Sequence, residues 1–402
     1  MSQTGKLRIA YFLEGMPASG VETSTSLTAH ALAKAGHAVT VFTPWVRSDR
    51  AARADDDDGR VEFFRLPRFR LPSDQEVYWS MPVSVSVTTK FGRAHYDVIH
   101  VHASTVVCAL AWQLSRLFSV PVVYTYHTMS KEYTHYYRRF FGPADLWLES
   151  VVEHYDRLIC NRARAVVAPS HKAAAYLERL AIEPPVFVIP NGVDERRFYP
   201  GQSDYLRERF FLPDTARILL FVGRLNQEKR PDAVYAVFRR LARWRPELHL
   251  VMAGAGPMEA ALRAQAAREG LASRVHFSGV VPYAMMPEVY RSADLWLSAS
   301  TSEVHPMAAL EAVASGLPVA ALADDALRGV VEHGVNGFAV QDIDALVQVA
   351  GELLDDTQLR AGMAAASAEL GRRYRVDATA ARLAELYGDV RRWAKLRPEL
   401  AA

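Results

Sequence analysis

Short runs of β-forming residues alternate with amphipathic helical segments along most of the chain, and this alternation limits the fold more than any other feature. Strands separated by helices favour βαβ units and parallel sheets. The sequence predicts about eleven strands, too many for one doubly wound sheet, so we expect an α/β protein with two sheets. The predicted strands are Arg8–Leu13, His37–Thr43, Asp97–His102, Val120–His127, Ala165–Pro169, Val186–Pro190, Arg217–Val222, His249–Ala253, Arg274–Ser278, Leu295–Ala299 and Pro318–Ala321.

Turn residues and a helical tail predict the domain boundaries. Asn191-Gly192 lies between the two sets of strands and is a turn signal. The last part of the chain is helical, with apolar periodicity in Asp342–Asp355 and Ala378–Lys395. We therefore predict a first domain at residues 1–190, a second at 191–375 and a C-terminal helix at 376–402.

Composition and charge are those of an ordinary globular protein. Half of the 402 residues are apolar, and the formal net charge of +2 gives no basic excess that would favour nucleic acid. The two cysteines, Cys108 and Cys160, fit a reducing cytosol better than a disulfide framework. No signal peptide precedes the first predicted strand, and no apolar run reaches the roughly eighteen residues needed to span a membrane. We expect a cytoplasmic protein whose membrane contact, if any, is peripheral; its oligomeric state stays open.

Two glutamates follow the predicted strand Leu295–Ala299. Glu303 falls on the loop at the carboxyl end of that strand, and Glu311 falls about two turns into the next helix. Ligands of open α/β sheets bind at this edge. Such a pair taken alone is more often structural, because a glutamate near a helix start is favoured by the helix dipole.

Two cations occupy the same position after another strand. Arg224 and Lys229 follow Gly223, and Pro231 suits the first position of the next helix. Arginine can bind a phosphate with two hydrogen bonds and lysine supplies a point charge, beside a helix start that favours anions. Taken alone, surface cations explain this segment equally well.

Glycine turns and a histidine complete the set. Gly254-Ala255-Gly256 follows a strand and would let a ligand approach the backbone, although such turns often serve only a tight connection. The loop that ends at Gly20 lacks the full dinucleotide-binding pattern. His127 ends a strand and could donate to a sugar hydroxyl or a phosphate, although a structural histidine is at least as common.

Together these segments resemble the retaining glycosyltransferases of family 4, which have the GT-B architecture of two facing Rossmann-like domains. The resemblance covers almost the whole chain in the family's order, and the set of motifs is specific although no single motif is. It implies an N-terminal acceptor-binding domain, a C-terminal nucleotide-sugar-binding domain and a C-terminal helix that crosses back to the N-terminal domain. The matched segments are Gly20, Tyr126-His127-Thr128, Pro190-Asn191-Gly192-Val193-Asp194, Gly223-Arg224 with Lys229, Gly254-Ala255-Gly256-Pro257, Glu303 with Glu311, and Gly316-Leu317-Pro318-Val319.

The resemblance implies a role for each matched residue. Arg224 and Lys229 would neutralise the diphosphate and Glu311 would hold the ribose hydroxyls. Glu303 would lie at the donor sugar and His127 would face the reaction centre. The other nucleotide-sugar contacts would come from Gly20, Gly223, Gly254, Pro306, Met307 and Ala308. Charge that collects on the leaving diphosphate would be stabilised by fixed cations and amides, with no enzyme nucleophile.

The donor is less specified than the site. Many members of the family carry Phe-Gly shortly after the first glutamate, whereas this chain has Val304-His305-Pro306. This departure lies against the implied position of the donor sugar. UDP-glucose is the favoured donor and GDP-mannose stays open. We expect no cofactor and no metal, since His100 and His102 lack cysteine or carboxylate partners at metal-ligand spacing.

The acceptor is indicated by two segments that interleave aromatic and basic residues. The segment from Tyr124 to Phe141 looks like the subgroup that glucosylates diacylglycerol and related lipids, and a second such segment is Arg60–Arg70. Aromatic residues with Lys and Arg suit an anionic membrane surface. The alternative is that the aromatic rings pack inside the domain and the arginines are solvated.

Other functions remain open at this stage. A glycosyltransferase with a soluble or polysaccharide acceptor is the main alternative. A nucleotide-sugar epimerase or a sugar phosphorylase would share much of the phosphate chemistry. A non-catalytic sugar-nucleotide-binding protein would be expected to have lost one of Arg224, Lys229, Glu303 or Glu311, and all four are present.

Overall fold

The structure is a computed structural model that describes residues 5–14, 20–44, 59–70, 78–81, 84–129 and 145–396. The chain forms two compact units. The first unit is built from Met1–Gly192 and Val376–Ala402, and the second from Val193–Arg375.

The described part of the first unit contains a seven-stranded parallel sheet and a short antiparallel pair. The strands are β1 (Arg8–Phe12), β2 (Ala38–Thr43), β3 (Val61–Arg65), β4 (Arg68–Arg70), β5 (Tyr78–Ser80), β6 (Val98–Val101), β7 (Val122–Thr125), β8 (Ala165–Ala168) and β9 (Val186–Val188). The sheet order is β3-β2-β1-β6-β7-β8-β9, with β4 paired to β5. The helices that follow these strands are α1 (Gly20–Lys34), α2 (Val85–Ala94), α3 (Val106–Phe118), α4 (Asp145–Cys160) and α5 (His171–Arg179).

The second unit contains a six-stranded parallel sheet in the order β12-β11-β10-β13-β14-β15. These strands are β10 (Arg217–Val222), β11 (Leu248–Ala253), β12 (Val275–Gly279), β13 (Leu295–Ser298), β14 (Val319–Leu322) and β15 (Gly337–Val340). The helices are α6 (Tyr205–Phe210), α7 (Pro231–Leu241), α8 (Glu259–Arg268), α9 (Met286–Arg291), α10 (Met307–Ala314), α11 (Ile343–Asp355) and α12 (Thr357–Gly371). The core is continuous and apolar because the central strands are buried on both faces.

The last described helix, α13 (Val376–Leu396), belongs to the first unit and packs against α1. Leu383, Tyr387 and Val390 lie along its length at helical spacing and are buried in the same apolar cluster as Leu32 of α1. Burial of this face is what holds the tail against the first sheet.

All of the predicted strands are present, with ends that differ by one or a few residues. The sequence missed β3, β4, β5 and β15. Glu62 and Arg65 of β3 are exposed because β3 is an edge strand, which breaks the buried apolar pattern. None of the helices in the described ranges is long and apolar enough to cross a membrane.

Candidate functional site

The carboxyl ends of β10 and β13 carry most of the predicted residues of the second unit. The two strands are neighbours, so the loops that follow them lie side by side. After β10, Gly223 and the exposed Arg224 lead into a 3-10 turn at Gln227–Lys229, and α7 then begins at Pro231. Arg224 forms no salt bridge or hydrogen bond with any residue in the described ranges. An unpaired guanidinium is thus presented at the edge where α/β sheets bind ligands.

Lys229 and Glu303 form a salt bridge between Nζ and Oε1, across these two loops. Their side chains are 21% and 17% exposed, so the pair is largely removed from water. A charge-assisted hydrogen bond of this kind neutralises both groups and fixes both side chains. The sequence assigned the two residues to separate parts of one ligand. The structure joins them directly, so an anion that binds Lys229 must share it with Glu303 or displace Glu303.

Two serines hold the same loops together. Ser300 Oγ and Ser302 Oγ donate to the backbone carbonyl oxygen of Glu228, at 3.4 and 3.2 Å. Glu228 and Ser300 are buried. The loop that carries Glu303 is therefore fixed relative to the loop that carries Lys229, before any ligand binds.

Glu311 lies inside α10 and is buried. Its Oε2 accepts a hydrogen bond of 2.9 Å from the hydroxyl of Tyr290. Burial raises the pKa of Glu311 to about 7, against the opposing effect of hydrogen bonds from Tyr290 and Tyr283. A carboxylate kept in such a position costs stability and is a candidate for function.

Backbone amides converge at the start of α10. Pro306 precedes the helix, and its carbonyl oxygen accepts from the amides of Ala309 and Leu310. The amides of Met307 and Ala308 in the first turn have no acceptor within their own helix. These amides and the helix dipole favour an anion or a sugar hydroxyl oxygen at this point.

The segment in which this chain departs from the family is buried. Val304 and His305 are each 8% exposed, and the His305 ring lies against Tyr374 with 5.9 Å between ring centroids. Burial lowers the pKa of His305 to about 3, so this imidazole is neutral at physiological pH. The departure therefore acts on the packing beneath the loop that carries Glu303.

The glycine turn at Gly254–Gly256 is required for the close approach of two loops. The loop at Gly254–Gly256 packs directly on the loop at Gly223–Leu225, where the Leu225 amide donates to the Ala255 carbonyl at 3.0 Å. A Cβ atom at Gly254 would overlap the carbonyl oxygen of Gly223, and Gly254 also has a φ of 147°. These glycines let two loops meet at the site.

In the first unit, His127 is half-buried and contacts a second histidine. The distance from His102 Nδ1 to His127 Nε2 is 2.9 Å. Burial lowers the pKa of His127 to about 4 and also lowers the pKa of His102 well below its usual value, so both rings are neutral near pH 7. His100 on the same strand end lies with its Nε2 2.7 Å from the hydroxyl of Thr125.

Some predicted segments lie partly or wholly outside the described residues. Gly20 is exposed at the first position of α1, but the rest of its loop is not described. The aromatic and basic segment is described only as far as Met129. In the other such segment, Phe64 packs against Phe42 with 5.4 Å between ring centroids, whereas Phe63 is exposed.

Asn191 and Gly192, from the Pro190–Asp194 segment, join structural elements within the first unit. Asn191 Oδ1 accepts from Ser24 Oγ of α1 at 2.8 Å. Gly192 lies against the backbone of Val376 at the start of α13, where a Cβ atom would overlap. The resemblance to the family at this segment therefore reflects packing in this chain.

Sequence reasoning missed the polar partners that hold the site residues. Tyr290, which binds Glu311, and Tyr387, which lies 2.5 Å from His100 Nδ1, gave no local signal because both are far along the chain from their partners. Glu14 was also missed: it accepts hydrogen bonds from Thr105 Oγ1 and the Val107 amide at the start of α3. An acidic residue directly after a buried strand could have indicated Glu14. Within the described ranges, no group of three or more His, Cys, Asp or Glu residues could hold a metal ion.

Comparison with known families covers most of the chain. Residues 18–197 match the family described as Glycosyltransferase Family 4. Residues 202–370 match the family described as Glycosyl transferases group 1.

Two relatives match over most of their length. A D-inositol 3-phosphate glycosyltransferase from Thermobispora bispora is 32% identical over 395 residues, which cover 92% of this chain and 90% of the relative. An alpha-monoglucosyldiacylglycerol synthase from Streptococcus pneumoniae is 27% identical over 342 residues, which cover 82% of this chain and 75% of the relative.

Among solved structures, Anabaena Alr3699/HepE in complex with UDP-glucose superposes with a TM-score of 0.76 at 20% identity. The match covers 95% of this chain and 100% of that chain. This likeness, with the two parallel sheets and the helical tail, confirms the predicted GT-B fold.

Proposed function

The chain belongs to glycosyltransferase family 4, and we propose that it transfers a hexose from a nucleoside-diphosphate sugar to a hydroxyl of a membrane lipid such as diacylglycerol, with retention of anomeric configuration. One observation carries the proposal: the loops after the neighbouring strands β10 and β13 bring Lys229 and Glu303 into contact, with Arg224 on the first loop and the buried Glu311 in the helix after the second. UDP-glucose is the proposed donor, in keeping with the UDP-glucose complex of the neighbour HepE.

The cations of this edge suit the leaving group. As the bond between the sugar C1 and the phosphate oxygen breaks, negative charge collects on the diphosphate. Arg224 has no partner in the described ranges, and Lys229 can exchange Glu303 for a phosphate oxygen. Fixed cations and helix-start amides at developing charge are usually the largest single catalytic contribution.

The two carboxylates then serve binding rather than proton transfer. Glu311, whose Oε2 is held by Tyr290, would accept hydrogen bonds from the ribose hydroxyls. Glu303, released from Lys229, would accept from hydroxyls of the donor sugar. The acceptor hydroxyl attacks C1 on the face that the diphosphate leaves, and its proton passes to the departing phosphate oxygen.

A lipid acceptor is supported by an exposed apolar stripe on α4. Val151, Tyr155 and Leu158 repeat at helical spacing and are 51%, 43% and 42% exposed. An exposed apolar face on a helix suits the surface of a membrane. The name of the relative from Streptococcus pneumoniae points to the same class of acceptor.

A soluble phosphorylated acceptor is the second candidate. It is favoured by the D-inositol 3-phosphate glycosyltransferase from Thermobispora bispora, which is 32% identical to this chain. The same cation-rich sheet edge would serve either acceptor, so the donor chemistry does not separate the two.

Radiolabelled donor transfer separates them. Purified protein is incubated with UDP-glucose or GDP-mannose and with diacylglycerol in mixed micelles, inositol 3-phosphate, or buffer. We expect label in the organic phase with UDP-glucose and diacylglycerol, and a product with the α configuration of the donor by NMR. Label only in a water-soluble product would support the second candidate, and no transfer with any pair would contradict the proposal.

A further inference from the structure

We infer that His102 sets the tautomer of His127, so that His127 carries its proton on Nδ1, and that His102 is thereby a positioning residue for the reaction. The statement about the tautomer concerns the first unit alone. Its catalytic part rests on the proposed function.

The geometry leaves one proton between the two rings. His102 Nδ1 and His127 Nε2 are 2.9 Å apart, which is a hydrogen-bond distance, so one nitrogen must donate and the other must accept. In a neutral imidazole one nitrogen carries the proton and the other accepts. Fixing the donor in this pair therefore fixes the tautomer of both rings.

The other nitrogen of His102 decides which ring donates. His102 Nε2 is buried and has no hydrogen-bond partner in the described part of the chain. If it carried a proton, a buried N–H group would be left unpaired, which native proteins rarely tolerate. His102 therefore carries its proton on Nδ1 and donates to His127 Nε2. His127 is left with its proton on Nδ1.

Two observations keep this arrangement in place. Burial lowers the pKa of both rings, so neither takes up a second proton near pH 7. The His102 ring packs against His100 and Tyr11, with centroids 4.0 and 4.6 Å away, and its backbone amide donates to the Phe12 carbonyl at 2.9 Å. A ring packed on its neighbours in this way cannot turn freely to exchange its nitrogens.

The packing partners are fixed in turn by the C-terminal helix. Tyr387 of α13 lies with its hydroxyl 2.5 Å from His100 Nδ1 and 2.9 Å from the Tyr11 hydroxyl. His100 Nε2 is held by the Thr125 hydroxyl at 2.7 Å. His127, by contrast, is half-buried, and Nδ1 is its remaining polar atom. An N–H group at that atom is a donor for a substrate oxygen.

Nitrogen-resolved NMR tests the tautomer directly. Long-range ¹H–¹⁵N correlation spectra of the ligand-free, full-length protein are recorded at pH 7.5, with the His127 signals assigned by their loss in His127→Asn. We expect the shift of a protonated nitrogen at Nδ1 and of an accepting nitrogen at Nε2. A protonated Nε2 would overturn the inference, whatever the enzyme transfers.

Two variants test the positioning role. The side-chain nitrogen of asparagine lies as many bonds from Cα as Nδ1 of histidine, so His102→Asn can still donate, whereas His102→Leu cannot. We expect His102→Leu to lower kcat about 10- to 100-fold and to populate both tautomers of His127, and His102→Asn to recover most of the rate. The exposed His171 gives a control, His171→Leu, which should match the wild type.

The outcomes separate this inference from the proposed function. If His102→Leu folds, as judged by circular dichroism, and turns over at the wild-type rate, the positioning role is overturned. If the wild type transfers no sugar, the proposed function fails while the NMR result still decides the tautomer. If His102→Leu does not fold, the role is tested by comparing kcat of His102→Asn with that of the wild type. A kcat for His102→Asn that is ten or more times lower than that of the wild type overturns the role.

Discussion

Lys229 Nζ forms a salt bridge with Glu303 Oε1 at the edge of the second sheet, so the cation and the carboxylate neutralise each other. A diphosphate that binds Lys229 therefore competes with a carboxylate of the protein. The pair keeps Lys229 oriented, but it also subtracts from the affinity for the nucleotide.

Removing the charge of Glu303 should strengthen the binding of a nucleoside diphosphate. We expect Glu303→Gln to bind UDP about 5- to 10-fold more tightly by calorimetry, because roughly 1 kcal/mol of competing ion pair is lost. Turnover of the sugar donor should fall, since the same carboxylate is proposed at the sugar. Glu332→Gln, which removes an exposed carboxylate paired with Arg373, should leave the affinity unchanged. Equal or weaker binding of UDP by Glu303→Gln would contradict the competition.

Arg224 should matter for turnover and not for folding. It is exposed and has no partner in the described ranges, so Arg224→Ala should change the free energy of unfolding by less than about 0.5 kcal/mol. Loss of a fixed charge at the leaving group should lower kcat about 100-fold or more. Arg243→Ala, an exposed arginine elsewhere in the second unit, is the control. Near-normal rates for Arg224→Ala would refute its assignment to the diphosphate.

Glu311 should trade stability for binding. The pKa of Glu311 is raised from 4.5 to about 7, so the unfolded chain releases this proton at a lower pH than the folded protein does. The contribution of Glu311 to the free energy of unfolding is therefore fully present below pH 4.5 and is lost as the pH rises through about 7. At pH 8 the ionised carboxylate costs about 3.5 kcal/mol at most, at roughly 1.4 kcal/mol per pKa unit. Glu311→Gln keeps an acceptor for Tyr290 and should be more stable than the wild type at pH 8, yet bind UDP more weakly.

Urea unfolding at pH 5 and pH 8 measures the effect of Glu311 on stability, and calorimetry measures its effect on the affinity for UDP. The stability difference between Glu311→Gln and the wild type should grow with pH, whereas Glu332→Gln should show no such trend. A constant difference across this range would mean that burial does not perturb Glu311, and unchanged UDP affinity would remove it from the ribose site.

A pair of histidines at the opposite end of the second sheet should make stability depend on acid. His249 Nδ1 of β11 lies 3.1 Å from His276 Nε2 of β12, and the His276 ring packs on Phe210. Burial lowers the pKa of His276 to about 4, so the unfolded chain binds more protons between pH 6.5 and 4. Stability should therefore fall as the pH drops through that window, by about 2 kcal/mol once the roughly 3.5 kcal/mol of the full shift is discounted for the partial exposure of the ring.

His276→Gln tests this dependence by removing the group that titrates. Urea unfolding at pH 7 and pH 4.5 should show a smaller decrease in the free energy of unfolding at acid pH for the variant than for the wild type. His333→Gln, an exposed histidine in the same unit, should behave like the wild type. If the free energy of unfolding decreases equally at acid pH in His276→Gln and in the wild type, then groups other than His276 cause the decrease.

The sequence predicted where the site residues lie along the chain, but not what holds them. Strand ends are local signals, so Arg224, Lys229 and Glu303 could be assigned to loops at one sheet edge. The bond between Lys229 and Glu303 joins residues 74 apart, and no local pattern predicts such a pair. Similarly, Tyr387 contacts His100 only because α13 returns to the first unit.

The missed strands have physical explanations of the same kind. β15 begins at Gly337, which reads as a turn residue in sequence. In the structure its missing side chain lets it lie against the backbone of Val319 on the neighbouring strand. A glycine chosen for close backbone approach and a glycine chosen for a turn look identical in a sequence.

The apolar stripe of α4 should bind membranes if the acceptor is a lipid. We expect the purified protein to sediment with anionic liposomes more than with neutral ones at low salt, because the first unit also carries basic residues such as the exposed Arg65. The double variant Val151→Ser with Leu158→Ser should reduce the bound fraction several-fold, because each substitution removes about 1 to 2 kcal/mol of favourable transfer free energy from water to the membrane. Val335→Ser, which removes an exposed valine from the second unit, should leave the bound fraction unchanged. Sedimentation no greater with anionic than with neutral vesicles would contradict membrane binding and shift the choice of acceptor towards a soluble one.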